Sequence, residues 1–232
     1  DLGRDAVPDA TTLLRFRRLL ETHSLTQQIF AAVNYQLATK GLYLKEGTVV
    51  DATIIAAPPS IKNKSKSRDP EMRQTKKGNQ YYFGMKAHIG VDAASGLVHT
   101  LVTTPANVHD VTQAHALLHG EEQQVYGDSG YLGAEKREEN KDKDVEWVIA
   151  MRHGQRRKLR DSETEEGRLT DKIEQLKSQI RAKVEHPFYW LKVHFGHRKV
   201  RYRGLAKNTA QLYSLLALAN LFLSRRCMPL AG

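Results

Sequence analysis

Apolar residues run almost unbroken through Thr48-Val49-Val50-Asp51-Ala52-Thr53-Ile54-Ile55-Ala56-Ala57, between Gly47 and Pro58-Pro59. A β-branched run of this kind predicts a strand covered on both faces. Further on, Tyr82, Gly84, Lys86, His88 and Gly90 interleave with Phe83, Met85, Ala87, Ile89 and Val91. With the turn Asp92-Ala93-Ala94-Ser95-Gly96 and a return from Leu97 to Thr103, this alternation predicts an antiparallel hairpin. Gln124 to Asp128 and Val145 to Met151 read as two more short strands.

The helical pattern brackets these strands. Pro8-Asp9 before Thr11-Thr12 gives a capped start, followed by an apolar face of Leu13, Leu14, Phe16, Leu19 and Leu20. A second helix is expected from Leu25 to Lys40, closed by Gly41. Asn107 to Leu118 reads as a helix, and a charged helix should follow Gly133 to about Lys141. From about Glu165 the chain turns helical again. Leu169, Ile173, Leu176, Ile180 and Val184 recur at steps of three or four, which predicts a core-facing stripe. The last helix, Asn208 to Arg226, is apolar nearly all round and reads as buried. This order predicts an α/β fold, a sheet of mixed strand direction with helices on its faces.

Charge then narrows the partners. Lys and Arg number 36 against 26 Asp and Glu, a net charge of +10, which favours a polyanion, nucleic acid first. The Lys62–Lys77 stretch is dense in Lys, Arg and Ser and reads as a loop, either solvated or touching phosphates. A single cysteine, Cys227, excludes an internal disulfide and fits a reducing compartment. The most apolar run, Leu212 to Leu223, is shorter than the ~20 residues a membrane span needs. The chain begins with Asp1 rather than Met, as a fragment of a longer protein would.

Candidate chemistry starts from Asp51. A carboxylate in a buried strand costs several kcal/mol unless it is paired or holds a metal. Asp128 ends a strand before a Gly-rich turn, where open α/β sheets place ligands, although a strand-end Asp taken alone is more often a cap for the next helix. Arg181, Glu185 and Lys192 fall within about 40° of one another on a straight helix. That is either a surface ion-pair ladder or one acid flanked by two cations. Pro187 should end or kink this helix, with Glu185 its last residue and Lys192 reached across the bend. Three such carboxylates would suit two divalent cations, Mg²⁺ or Mn²⁺ rather than zinc, acting on a phosphodiester. His109, His115 and His119 could suggest a metal cluster, but without a cysteine in support they read as helix surface or core, while His88 and His186 lie near the proposed site and read either as DNA contacts or as packing. Tyr81, Tyr82, Phe83 and Trp190 read either as core or as surfaces for stacking on bases.

Arg181-x3-Glu185-x6-Lys192 resembles the signature of bacterial insertion-sequence transposases of the DDE type, named for two aspartates and a glutamate. The nearest group is that around insertion sequences four and five, whose signature places a tyrosine three positions before the arginine. Gly47 to Thr53, Thr75 to Gln80, Tyr82 to His88, Tyr126 to Tyr131, Glu185 to Phe188 and Arg198 to Leu205 also resemble that group, in order, from Leu2 to Leu221. The resemblance implies an RNase H-like catalytic domain over 47–226, a helical remnant of a DNA-binding region over 1–46 and a tail over 227–232. It implies that Asp51, Asp128 and Glu185 hold Mg²⁺ (or Mn²⁺), and that the enzyme cuts at inverted-repeat ends and joins 3′-hydroxyls to target DNA. The implied setting is a homodimeric synaptic complex on double-stranded DNA, in the bacterial cytoplasm at the nucleoid. Arg181 and Lys192 match the basic positions of the signature. Lys62, Lys64, Lys66, Arg68, Lys76, Lys77, Arg198, Lys199, Arg201 and Arg203 are the further expected DNA contacts. Ser178 stands where the signature has tyrosine, and Asp1 to Leu20 resembles only the closing helices of the N-terminal region. A nuclease of the same fold and a catalytically silent DNA-binding remnant remain as alternatives.

Overall fold

In the computed structural model the described residues are 7–43, 46–62, 64, 66–160 and 164–227; the tail from 228 lies outside them. The chain opens with helices α1 (Ala10–Thr22) and α2 (Leu25–Thr39). Asp9 caps α1 by accepting from the Thr12 N–H at 2.6 Å, which satisfies one of the free donors of the first turn. Strand β1 (Gly47–Ala56) then enters the sheet, followed by β2 (Arg73–Lys77), β3 (Gln80–Asp92), β4 (Val98–Pro105), β5 (Gln124–Gly127) and β6 (Glu146–Ile149). The strand order is β2-β3-β1-β5-β6, with β4 also paired to β3. β3 runs antiparallel to β1, β2 and β4, whereas β1, β5 and β6 are parallel. This mixed sheet flanked by helices is the RNase H-like arrangement that the resemblance implies.

Both faces of β1 are covered, as its unbroken apolar run predicts. Val49, Ile55 and Ile89 pack with Leu212, Leu216, Phe188 and, from α2, Phe30. Val50 and Val125 pack on the other face with Leu117 and Tyr131. β1 and β3 lie so close at Gly84 that an added Cβ would stand 2.1 Å from the Ile55 carbonyl oxygen, so only glycine fits there. The long helix α6 (Leu205–Cys227) is pinned to β4 by Asn220, which accepts from Val98 N at 2.9 Å and donates to Val98 O at 2.7 Å. A buried amide needs such partners.

Several elements depart from the sequence reading. The Lys62–Lys77 stretch is not all loop, since its end forms the edge strand β2. The helix expected over Asn107 to Leu118 is a 3-10 helix from Asp110 to Leu117. The charged segment after Gly133 makes only short 3-10 turns at Ala134–Lys136 and Glu138–Asn140, not a continuous helix. Helix α3 (His153–Arg160) was not anticipated.

The largest difference concerns α4 (Glu165–Arg181): Leu169, Ile173 and Leu176 are 53–58% exposed, while Asp171 and Glu174 are buried. The polar side is the packed one because it has partners there. Asp171 meets Arg156 of α3 at 3.3 Å, and Glu174 accepts from the Met151 N–H at 2.8 Å. Only Ile180 and Val184 of the stripe join the core. The apolar face of α1 is exposed too, at Leu13, Leu14, Phe16 and Leu19.

Candidate active site

Asp51 and Asp128 reach each other through the parallel pairing of β1 and β5. The register Thr48↔Val125, Val49↔Tyr126, carried two residues on, sets Asp51 level with Asp128. Asp128 follows directly on β5, where the strand gives way to a 3-10 turn at Ser129–Tyr131, and its Oδ1 accepts from the Gly130 N–H at 2.8 Å. It therefore caps that turn while keeping an oxygen for the site.

Glu185 comes from the helical layer. After α4 the chain tightens into a 3-10 turn (Ala182–Val184), continues as α5 (Glu185–Tyr189), and widens into a π-turn (Trp190–His194). Pro187 therefore does not end the helix. It sits in the first turn of α5, where a backbone N–H has no intrahelical acceptor to lose. Glu185 consequently opens a helical segment instead of closing one.

All three acids line one groove of about 860 Å³, together with Lys77, Arg181, Lys192 and Arg198. Asp51 is largely buried, with its side chain 17% exposed. Its Oδ1 accepts from the Ala52 N–H at 2.7 Å and its Oδ2 lies 3.5 Å from Arg181 Nη1. Burial pushes the Asp51 carboxyl up to about 7, the charges of Asp128 and Glu185 add to this, and the Ala52 N–H and Arg181 oppose it. Burial, and then the like charges of Lys77 and Arg198, draw Lys192 below the usual lysine range. The groove thus gathers fixed positive charge around acids that repel one another.

This donor set fits hard divalent cations. The groove offers three carboxylates and no imidazole or thiolate among the described residues, and oxygen-only sites prefer Mg²⁺- or Mn²⁺-like ions. A carboxyl pushed up first by burial and then by two neighbouring acids, as Asp51 is, is the behaviour expected of a cation-binding site. The carboxylate oxygens do not all close to within 4.8 Å of one another. Among the described residues the group that does is His99, His119 and Glu122, which could hold a metal ion.

That second group is already engaged in hydrogen bonding near the start of β1. Glu122 accepts from Thr48 Oγ1 at 3.0 Å and from the backbone N–H groups of His119 and Gly120 at 2.5 and 2.7 Å. His99 Nε2 lies 3.1 Å from the same threonine hydroxyl. The Glu121 N–H donates to His119 Nδ1 at 3.1 Å, so in the neutral ring the proton sits on Nε2, the nitrogen facing Glu122.

The other candidates separate clearly. Lys77 and Arg198 reach the groove, whereas Lys62, Lys64, Lys66 and Arg68 lie exposed on the segment after β1. Lys76 stands over the Tyr81 ring at 5.6 Å, Lys199 is bridged to Ala56, and Arg201 and Arg203 line a smaller cavity with Tyr202. His88 is fully buried and bonded to Thr104 at 2.8 Å, with burial pushing its pKa down to about 4, so it is a core residue and not a site residue. His186 is exposed on α5. Trp190 stacks on Phe222 and His194. Ser178 accepts from Arg156 Nη1 at 3.1 Å and donates to the Glu174 carbonyl, so it helps hold α3 against α4.

Tyr82, one of the aromatics the sequence offered for stacking, lines the groove. Sequence reasoning missed Tyr189 and Val193 as groove walls. It also missed the basic run Arg152, Arg156, Arg157, Lys158 and Arg160, which has no acid within it and could have been found by charge alone. No helix among the described residues is long and apolar enough to cross a membrane. Residues 43–221 match the family model described as Transposase DDE domain. DDE transposases are DNA-binding polynucleotidyl transferases or nucleases that use divalent metals. With most of its length matched, and with two aspartates and a glutamate gathered in one cationic groove, this chain belongs to the transposase DDE domain family.

Proposed function

We propose that the chain is the catalytic part of an insertion-sequence transposase of the group around insertion sequences four and five. In this reading it cuts at the inverted-repeat ends of its element and joins the freed 3′-hydroxyls to target DNA. The observation that carries the reading is the groove itself: Asp51, Asp128 and Glu185 arrive from two strands and a helix, ringed by Lys77, Arg181, Lys192 and Arg198. A structural ion-pair site would bring one cation to each acid. A polyanion site needs more positive charge than the acids alone can use.

Asp51, Asp128 and Glu185 would hold the metal, Mg²⁺ or Mn²⁺, which when bound supplies Lewis-acid activation of the nucleophile and charge stabilisation at phosphorus. Everything else falls to the protein. Arg181 and Lys192 place positive charge on the nonbridging phosphate oxygens, where negative charge grows in the transition state. Arg181 also keeps Asp51 more ionised than burial alone would allow. In the first step water adds to phosphorus and the 3′-oxygen leaves, taking a proton to become a hydroxyl. In the second step that 3′-hydroxyl attacks a target phosphodiester, loses its proton and displaces the target's own 3′-oxygen. Lys77 and Arg198 line the same groove and would track the strand on either side.

The partners in this reading are double-stranded element ends and target DNA, held in a synaptic homodimer in the bacterial cytoplasm at the nucleoid. The helices of 1–46 would belong to the end-recognition region, 47–226 to the catalytic domain. Incubating the protein with Mg²⁺ and DNA carrying the element ends tests the reading. Joined products support it, nicks without joining reduce it to a nuclease, and DNA retention without cleavage leaves a binding protein.

A further inference from the structure

A second cavity, about 560 Å³, opens beside the active groove and shares Ala56 and Tyr82 with it. Its walls combine aromatic rings with cations. Tyr81 and Phe83, two apart on β3 and therefore on one face of the strand, offer rings. Arg68 and Lys199 offer cations, and Pro58 and Pro59 close one side.

Arg68 is fixed through its side chain, whereas Lys199 is placed by its backbone. Arg68 lies 5.5 Å above the Phe83 ring while its Nε donates to the Pro59 carbonyl at 2.8 Å. Lys199 is bridged to Ala56 on β1, with the Val200 N–H donating to Ala56 O at 2.9 Å. Tyr81 is 67% exposed, with Lys76 Nζ 5.6 Å from the centroid of its ring, so most of its surface is still open to a ligand. A flat aromatic group flanked by negative charge satisfies all of these surfaces at once, and a nucleotide is such a group.

We propose that this cavity takes one unstacked base of a DNA strand lying in the groove, with Tyr81 as the stacking surface and with Arg68, seated on Phe83, and Lys199 on the flanking phosphates. The proposal rests on the reading of the groove as a DNA site. Ala56 stands five residues beyond Asp51 on β1, roughly 17 Å at ~3.4 Å per residue. That equals about five stacked nucleotides at ~3.4 Å each, so the base comes from flanking sequence and not from the cleaved step. A base inside an intact duplex cannot reach the ring, and extrusion is easiest at a frayed end or a mismatch. The cavity therefore favours single-stranded or melted DNA over a closed duplex.

Fluorescence anisotropy on the whole chain in EDTA, where no cleavage intervenes, tests this with a labelled single strand and the matching closed duplex. Tyr81→Ala should weaken single-strand binding roughly 5- to 100-fold and change duplex binding less than about twofold. Tyr81→Phe, which keeps the ring, should bind the single strand as the unsubstituted chain does. Because Tyr81 is exposed, neither change threatens the fold. Equal weakening on both DNAs, no weakening, or a Tyr81→Phe chain as poor as Tyr81→Ala would overturn the stacking site while leaving the groove intact. A chain that binds neither DNA would overturn the groove reading itself.

Discussion

Arg181 Nη1 lies 3.5 Å from Asp51 Oδ2, although 130 residues separate the two along the chain. The fold has brought a helix-end cation onto the acid at the centre of the sheet, in a groove that Asp128 and Glu185 also line. Arg181 opposes the burial that pushes Asp51 up to about 7. Substituting Arg181 by Gln should thus raise the Asp51 pKa further and move the rising limb of the cleavage pH profile to higher pH, by about half to one unit. A profile that keeps its midpoint while losing amplitude would assign Arg181 to phosphate contact alone.

The same shift makes a stability prediction for the metal-free protein. Folded Asp51 holds its proton up to about 7, against a usual value of 3.8. Its contribution to stability is therefore fully present below pH 4 and is lost as pH rises toward 7. Asp51→Asn cannot ionise, so in EDTA it should be more stable than the unsubstituted chain at pH 8, by roughly 1–4 kcal/mol, with little difference near pH 4. Urea midpoints at the two pH values measure this. A difference that does not change with pH would mean that Asp51 titrates normally.

The exposed lysines after β1 should act on DNA through charge alone. Replacing Lys62, Lys64 and Lys66 together by Ala should lower the slope of log K against log salt by up to ~0.9 for each phosphate released. Affinity should fall about equally for all sequences. An unchanged slope would mean that this segment stays in water when DNA binds.

Helix α4 supplies a sharper contrast. Leu169, Ile173 and Leu176 face solvent, whereas Leu212 of α6 is fully buried. Changing any of the three to Ser should alter stability by no more than about 0.5 kcal/mol, while Leu212→Ala should cost about 2–5 kcal/mol. Denaturant unfolding of the four variants decides this. A large loss at Ile173 would mean that the stripe is covered in solution.

That contrast also shows where the sequence was legible. β1, β3 and β4 could be read directly, because strands buried on both faces advertise themselves as unbroken apolar runs and hairpins mark their own turns. β2 was hidden because an edge strand can consist wholly of charged and polar residues, as Arg73–Lys77 does. The periodicity of α4 marked a real face, but not which side holds the partner. Here Asp171 and Glu174 pack against Arg156 and Met151, and the apolar side is left outside. Of the groove, the acids, Arg181 and Lys192 were visible as spacing. Tyr189 and Val193 were not, since walls depend on long-range pairing that no local pattern encodes.

In the proposed reaction three carboxylates far apart in the chain act together on a phosphodiester. Mg²⁺-dependent cleavage of a DNA carrying the inverted-repeat ends, followed with Asp51→Asn and Glu185→Gln alongside retention of the same DNA, tests it most directly. The account predicts that each substitution abolishes cleavage by at least ~100-fold while leaving retention within a few-fold. Cleavage that survives either substitution, or that disappears only in proportion to lost DNA binding, would contradict it.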